Sequence, residues 1–219
     1  MSTLKLGALF AGYGGLDMAV MNVFDAELAW VSEIEPQANL VLAHHHPDVP
    51  NLGDIAKIDW STVEPVDIIT GGSPCQDLST AGKRAGMTDG TRSNLWVEMR
   101  EAIAALRPKH VVWENVRGAL SAEAASDLGW TEGLLDQRTP DQLPAKEDRA
   151  LRALGRVLGD LADLGYDARW QGLRASDIGA CHHRFRVFVL ATDRFAGEPW
   201  LVPQDAHREP GRERWSATS

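Results

Sequence analysis

The chain has 219 residues, 44% of them apolar and 24% charged, which suits one sizeable globular core. Its 22 basic and 31 acidic residues leave a net charge of −9, which argues against a self-sufficient nucleic-acid binder with a basic footprint. Two cysteines argue against a disulfide framework or a structural zinc site, and no apolar run is long enough for a membrane span, so a cytoplasmic protein is expected.

Short apolar runs alternate with amphipathic stretches along the chain, which predicts an α/β fold with a doubly wound, mostly parallel sheet. Leu4 to Phe10 reads as the first strand, followed by the glycine-rich turn Phe10-Ala11-Gly12-Tyr13-Gly14-Gly15 and a helix from about Leu16 to Phe24. Leu28 to Ser32 reads as the second strand and Pro36 to Ala43 as its helix, with Asp67 to Thr70 as a central strand. Leu95, Met99, Ala102, Ile103 and Leu106 recur at helical spacing, and Pro108 stops that helix. His110-Val111-Val112-Trp113 is a buried strand ending at Glu114. Leu151, Leu154, Leu158 and Leu161 mark another amphipathic helix closed by Gly165, and Arg186 to Ala191 is the last strand. Ser121 to Asp148 lacks periodicity and is expected to run over the surface, while Asp193 to Ser219 reads as an irregular tail. The expected organisation is one domain over 1–192, with 121–148 as a surface insertion and 193–219 as the tail.

Chemistry concentrates at the ends of the predicted strands. Gly71-Gly72-Ser73-Pro74-Cys75-Gln76-Asp77-Leu78-Ser79 follows directly on a buried strand and holds a thiol at the mouth of the sheet. At the glycine turn, missing Cβ atoms let the backbone curl and approach a ligand closely. The turn lacks the third glycine of a dinucleotide fingerprint, since Asp17 and Met18 follow. Glu33, at the end of the second strand, stands where an acid holds ribose hydroxyls. Glu114 ends a strand next to the cysteine strand, and Arg184 and Arg186 alternate with Phe185 and so share one face of a strand. His44-His45-His46 has no acid or thiol to complete a metal site, and Cys181-His182-His183 lacks a near fourth ligand; no metal is expected.

In this order and spacing, Phe10 to Gly15, Pro74-Cys75, Glu114-Asn115-Val116 and Arg184-Phe185-Arg186 resemble the cytosine-C5 DNA methyltransferase family. The resemblance covers about residues 4 to 192 and implies a Rossmann-like fold of the S-adenosylmethionine-dependent methyltransferase type. It implies S-adenosylmethionine as cofactor, held by Phe10, Ala11, Gly12, Tyr13, Gly14, Gly15, Glu33, Ile34, Asp54, Ile55, Pro74 and Leu95. Phe10 would pack on the adenine, Glu33 would hold the ribose and Asp54 would accept from the adenine amino group. It implies Cys75 as the nucleophile on C6 of a flipped cytosine, Glu114 as the acid at N3, and Arg184 and Arg186 holding O2 and positioning Glu114. Gln76, Ser79, Lys83, Arg84 and Arg92, on the loop between Cys75 and Leu95, would meet double-stranded DNA. The chain departs from the family pattern at Ile34, where a bulkier aromatic is usual, and at Cys181 and His182, which replace a proline and a glutamine.

The expected activity is therefore DNA cytosine-C5 methylation through a covalent Cys75 adduct, in a restriction–modification or phage DNA-modification setting. Residues 193–219 resemble neither the target-recognition region nor the closing motifs of the family. Two alternatives stay open at this point: a split or truncated form that binds cofactor but needs a second polypeptide for target recognition, and an enzyme acting on cytosine in transfer RNA.

Overall fold

The computed structural model describes residues 3–73, 95–120, 123–124 and 151–196. Among them, six strands form one sheet in the order β2-β1-β3-β4-β8-β7. These are β1 (Leu4–Leu9), β2 (Ala26–Ser32), β3 (Ile68–Gly71), β4 (His110–Val116), β7 (Tyr166–Arg174) and β8 (Phe185–Asp193). The two-residue strands β5 (Glu123–Ala124) and β6 (Leu151–Arg152) pair separately. The helices are α1 (Gly15–Phe24), α2 (Pro36–His45), α3 (Leu95–Leu106) and α4 (Ala153–Asp163).

β2, β1, β3 and β4 pair in parallel, with Leu6 opposite both Leu28 and Ile68, and Ile68 opposite His110. β8 is antiparallel to both β4 and β7, so five strands run one way and β8 alone is reversed. This is the expected doubly wound, mostly parallel architecture. Period-two alternation assigns each strand's residues to two cores. Leu6, Ala8, Ile68 and Val112 face α1 and α2 and pack with Val20, Val31 and Leu42. Leu9, Ile69, Val111, Trp113 and Val189 face the other way, against Trp96, Met99 and Ile103 of α3 and Val157 and Leu161 of α4. Helices thus cover both faces, as buried parallel strands require.

Two local devices fix the layers. Gly7 lies under Trp30: a Cβ there would sit 2.2 Å from the indole ring, so only glycine lets β1 and β2 pair with this tryptophan between them. On the other face, Asp160 of α4 is buried yet fully engaged. It accepts from Trp96 Nε1 of α3 at 2.7 Å and from Arg156 Nε at 3.0 Å, which ties the two helices together.

The elements differ from the sequence reading in three places. β7 was not expected: Tyr166 is buried but Asp167, Arg169, Trp170 and Gln171 are exposed, because this is an edge strand and its polar composition hides the alternation. β4 continues through Glu114 to Val116, since the antiparallel pairing with β8 carries on to Arg186. α4 begins at Ala153, two residues after Leu151, which pairs with Ala124 instead. Of the expected surface insertion only Glu123–Ala124 is described, and of the tail only 193–196. Among the described residues no helix is long and apolar enough to cross a membrane.

Connections from β1 lead to β2 on one side and, later in the chain, to β3 on the other. The strand order therefore reverses between β1 and β3, and their carboxyl ends flank a crevice where open α/β sheets bind ligands.

Candidate active site

The crevice is built by the turn after β1. Phe10 has φ of 53°, an uncommon value for a residue with a Cβ, and Gly12 and Gly14 have φ of 55° and 80°. The chain curls so that the Gly14 N–H donates to the Ala11 carbonyl at 2.9 Å, and α1 starts at once at Gly15. Glu33, just past β2, reaches across to this turn. Its Oε2 accepts from the Gly12 N–H at 2.7 Å, and its Oε1 accepts from the N–H groups of Ile34 and Glu35 at 2.9 and 2.8 Å. One carboxylate thus locks the β1 turn to the end of β2.

Asn51 holds the third side of the cleft. Its Oδ1 accepts from the Glu33 and Gly53 N–H groups, and its Nδ2 donates to the Glu33 carbonyl and to Asn39 Oδ1 of α2. Ser32 Oγ donates to the Gly53 carbonyl at 2.7 Å. These bonds place Asp54, which caps a short 3-10 turn by accepting from the Ala56 N–H and pairs with Lys57 at 3.1 Å. Lys57 and the Ala56 N–H hold the Asp54 carboxyl below its ordinary range. The resulting cleft, about 220 Å³, has Phe10, Ile34, Ile55 and Leu95 as apolar walls and Glu33, Asp54 and Ser32 as polar ones.

A second cleft of about 480 Å³ opens on the other side of Phe10 and Gly72, which line both. Its walls include Ala11, Gly12 and Gly15 of the turn, Asp17 of α1, Glu114 of β4, and Arg184 and Phe188. Glu114 and Phe188 are directly opposed across β4 and β8, and Arg186, two residues earlier on the same face, pairs with Glu114 through Nε at 2.5 Å. Gly72 leaves the space Glu114 occupies: a Cβ on Gly72 would lie 3.2 Å from Oε2. Burial pushes the Glu114 carboxyl up, against the downward pull of Arg186 and Arg184. The arrangement keeps a proton on Glu114 more readily than a surface carboxylate would, while an arginine fixes its orientation.

Asp17 is buried at the floor of this cleft and accepts from Thr70 Oγ1 of β3 at 2.5 Å. Burial pushes its carboxyl up to about 6 from an ordinary 3.8, the Thr70 hydroxyl opposing this. The folded state therefore binds this proton more tightly than the unfolded chain, and the buried charge costs stability above about pH 6. Thermal unfolding between about pH 8 and pH 4 should show this contribution flat down to about pH 6 and rising as pH falls from there toward the ordinary 3.8. Asp17→Asn, which keeps an acceptor for Thr70, should flatten the rise and stabilise the protein at the alkaline end by as much as about 3 kcal/mol. An unchanged pH profile in that variant would refute the assignment.

β3 ends at Gly71; Gly72 and Ser73 follow it, and β4 anchors that end. Trp113 Nε1 donates to Ser73 Oγ at 3.1 Å, and Asn115 Nδ2 lies 3.4 Å from the same oxygen and 3.5 Å from the Ser73 carbonyl. Ser73 is the last described residue before the thiol, so these bonds fix where the cysteine segment leaves the sheet. Pro74, Cys75, Gln76, Ser79, Lys83, Arg84 and Arg92 lie outside the described residues.

The structure brings Phe10, Ala11, Gly12, Gly15, Glu33, Ile34, Asp54, Ile55, Leu95, Glu114 and Arg184 to the walls of two adjoining clefts. Tyr13, largely exposed, and Gly14 shape the turn without lining either cleft. Arg186 acts on Glu114 from behind the wall. Sequence reasoning gave no role to Ser32, Asn51, Ser73, Trp113 or Asn115. For Asn115 a signal was present, since it sits inside Glu114-Asn115-Val116; for Asn51 only its place three residues before Asp54 hinted at one. Among the described residues no cluster of His, Cys, Asp and Glu could hold a metal ion, and Cys181 is exposed and unpaired.

The profile of the C-5 cytosine-specific DNA methylase family matches residues 4–131. The type II methyltransferase M.NlaIV of Neisseria lactamica is 31% identical over 197 residues, 88% of this chain and 42% of its own length. A protein of Escherichia phage P1 named DNA N-6-adenine-methyltransferase is 32% identical over 200 residues, 80% of this chain and 26% of its own length. In fold, the crystal structure of S. pombe Dnmt2 methyltransferase is similar with a TM-score of 0.62 at 19% identity, over 90% of this chain and 53% of that one. The chain thus spans less than half the length of these two curated relatives. Because the profile match takes in the smaller cleft, Glu114 of the larger one and more than half of the sequence, this chain belongs to the C-5 cytosine-specific DNA methylase family.

Proposed function

We propose that the chain transfers a methyl group from S-adenosylmethionine to C5 of cytosine in double-stranded DNA, within a restriction–modification or phage DNA-modification system. The observation that carries this reading is the meeting of two chemically different clefts at Phe10 and Gly72. The smaller suits an adenosine: apolar walls for the base, Asp54 for its amino group, Glu33 for the ribose hydroxyls, and no lining cation that would call for a phosphate. The larger holds Glu114, whose carboxyl is pushed up by burial, with Arg184 on its wall and Arg186 paired to the acid, an arrangement suited to a polar ring that gains negative charge as it reacts. Together they fall within the size range of small-molecule sites, roughly 300–1,000 Å³.

S-adenosylmethionine, when bound, supplies the electrophilic methyl group. The chain's own residues prepare the ring. The Cys75 thiolate adds to C6, Glu114 gives a proton to N3 so that charge does not build there, and electron density moves onto C5. After transfer a base takes the C5 proton, the Cys75 thiolate leaves C6 and the N3 proton returns to Glu114, restoring the ring. Both faces of the cytosine must be reached, so the base is turned out of the duplex. Methylation of an adenine amino group, the activity in the P1 relative's name, would need neither a thiol adding to a ring carbon nor an acid at N3.

The test is covalent capture on duplex DNA carrying 5-fluorocytosine in varied sequence contexts, with S-adenosylmethionine present. Fluorine blocks loss of the C5 substituent, so an active site should trap itself through Cys75. Mass spectrometry is expected to show an adduct on the peptide containing Cys75, and none with Cys75→Ala. An adduct elsewhere, or methyl transfer that survives Cys75→Ala, would overturn the mechanism. Cofactor binding without capture would favour a split or truncated form that binds cofactor but lacks target recognition of its own.

A further inference from the structure

The start of β8 carries a second charged feature, on the opposite face of the sheet from Glu114. Phe185 is directly opposite Arg174 of β7, and Arg117 follows Val116, whose partner on β8 is Arg186. The three side chains form a row across the rim of the sheet. Arg117 Cζ lies 5.8 Å and Arg174 Cζ 5.9 Å from the centre of the Phe185 ring. The ring is seated by Gly172: a Cβ there would come within 2.3 Å of it, so the phenyl lies over bare backbone. Both arginines are exposed, and neither has an acid within ion-pair distance among the described residues. The basic groups elsewhere behave differently: Lys5, Lys57, Lys109, Arg107 and Arg194 are all paired with carboxylates.

We propose that Arg117, Phe185 and Arg174 form a clamp for backbone phosphates of duplex DNA beside the larger cleft. Three features point to this partner. Guanidinium forks match phosphate oxygens in pairs, and stacking on a seated ring removes part of the entropy otherwise lost on binding. The chain carries a net charge of −9, so a polyanion is repelled except where unpaired cations gather, and this rim gathers them. Arg184, next to Phe185, lines the cleft that would receive the base, so phosphates flanking an extruded nucleotide pass along the same rim. The row makes no base contact and positions the duplex without reading it. The inference rests on the DNA substrate proposed above.

The test is a salt titration of duplex binding by the full chain, read by fluorescence anisotropy with S-adenosylhomocysteine present. Arg117→Gln and Arg174→Gln should each weaken binding about tenfold at low salt and reduce the slope of log K against log salt by about 0.9, and together by about 2. Arg194→Gln, which removes the same charge at the far end of β8, should leave the slope unchanged. A wild-type slope in the double variant would overturn the clamp while the DNA reading stands. So would an equal loss in Arg194→Gln, which would make the effect one of net charge, or a loss confined to transfer RNA. Failure of the wild-type chain to bind duplex at low salt would overturn the DNA reading, and the clamp with it.

Discussion

Glu114→Gln should slow methyl transfer by roughly two to four orders of magnitude while changing cofactor affinity by no more than about twofold. The acid stands in the larger cleft, apart from Glu33 and Asp54, so its loss leaves the adenosine side untouched. In the proposed mechanism its work is to hold a proton where the ring gains negative charge. Glutamine keeps the size and can donate a hydrogen bond, but it cannot transfer the proton. Burial holds the Glu114 carboxyl above its usual range, and the Arg186 contact limits how far it rises. The sign of the pH dependence follows. The wild-type rate should fall as pH rises through the Glu114 titration, because the acid is then lost, and Glu114→Gln should lack that limb. Single-turnover transfer measured across pH tests both parts. A glutamine variant within tenfold of wild type would reduce Glu114 to a structural partner of Arg186.

How much of this was legible in the sequence depends on what each signal encodes. Strands buried on both faces read clearly, since Leu4–Leu9, Ile68–Gly71 and His110–Trp113 are apolar runs bounded by turn residues. The glycine turn, Glu33 and Glu114 read clearly as well, because strand ends in such a sheet converge and polar groups there stand out against apolar flanks. β7 did not read, because an edge strand with one partner buries little and keeps its charges. Asn51 and Ser73 did not read for another reason. Their roles consist of hydrogen bonds to distant partners, a backbone amide 18 residues away for Asn51 and an indole N–H 40 residues away for Ser73, and no local pattern encodes such a partner. The separation of Glu114 from the Arg117–Phe185–Arg174 row required register. Alternation placed Arg184 and Arg186 together, but only the pairing of β4, β8 and β7 shows that Phe185 turns to the other face with an arginine on each side.

Glu33→Ala should raise the dissociation constant for S-adenosylhomocysteine by about one to two orders of magnitude, the equivalent of one charged hydrogen bond of roughly 1.5–3 kcal/mol. Glu33 has two tasks that this experiment must separate: it faces the smaller cleft, and it holds the Gly12, Ile34 and Glu35 amides in place. Asn51→Ala supplies the separation. It removes the bonds that brace Glu33 and Gly53 from behind but leaves the carboxylate facing the cleft. If Glu33 binds the ligand directly, Glu33→Ala should cost far more affinity than Asn51→Ala, and the excess should fall when the ligand lacks its ribose hydroxyls. If Glu33 only braces the turn, the two variants should lose similar affinity and the hydroxyls should make no difference. Calorimetry with both variants and a dideoxy analogue distinguishes these outcomes. Equal losses would overturn the ribose assignment. A large excess for Glu33→Ala would also explain why the carboxylate is already fixed by three amides: an acceptor held in place loses little freedom when the ribose arrives.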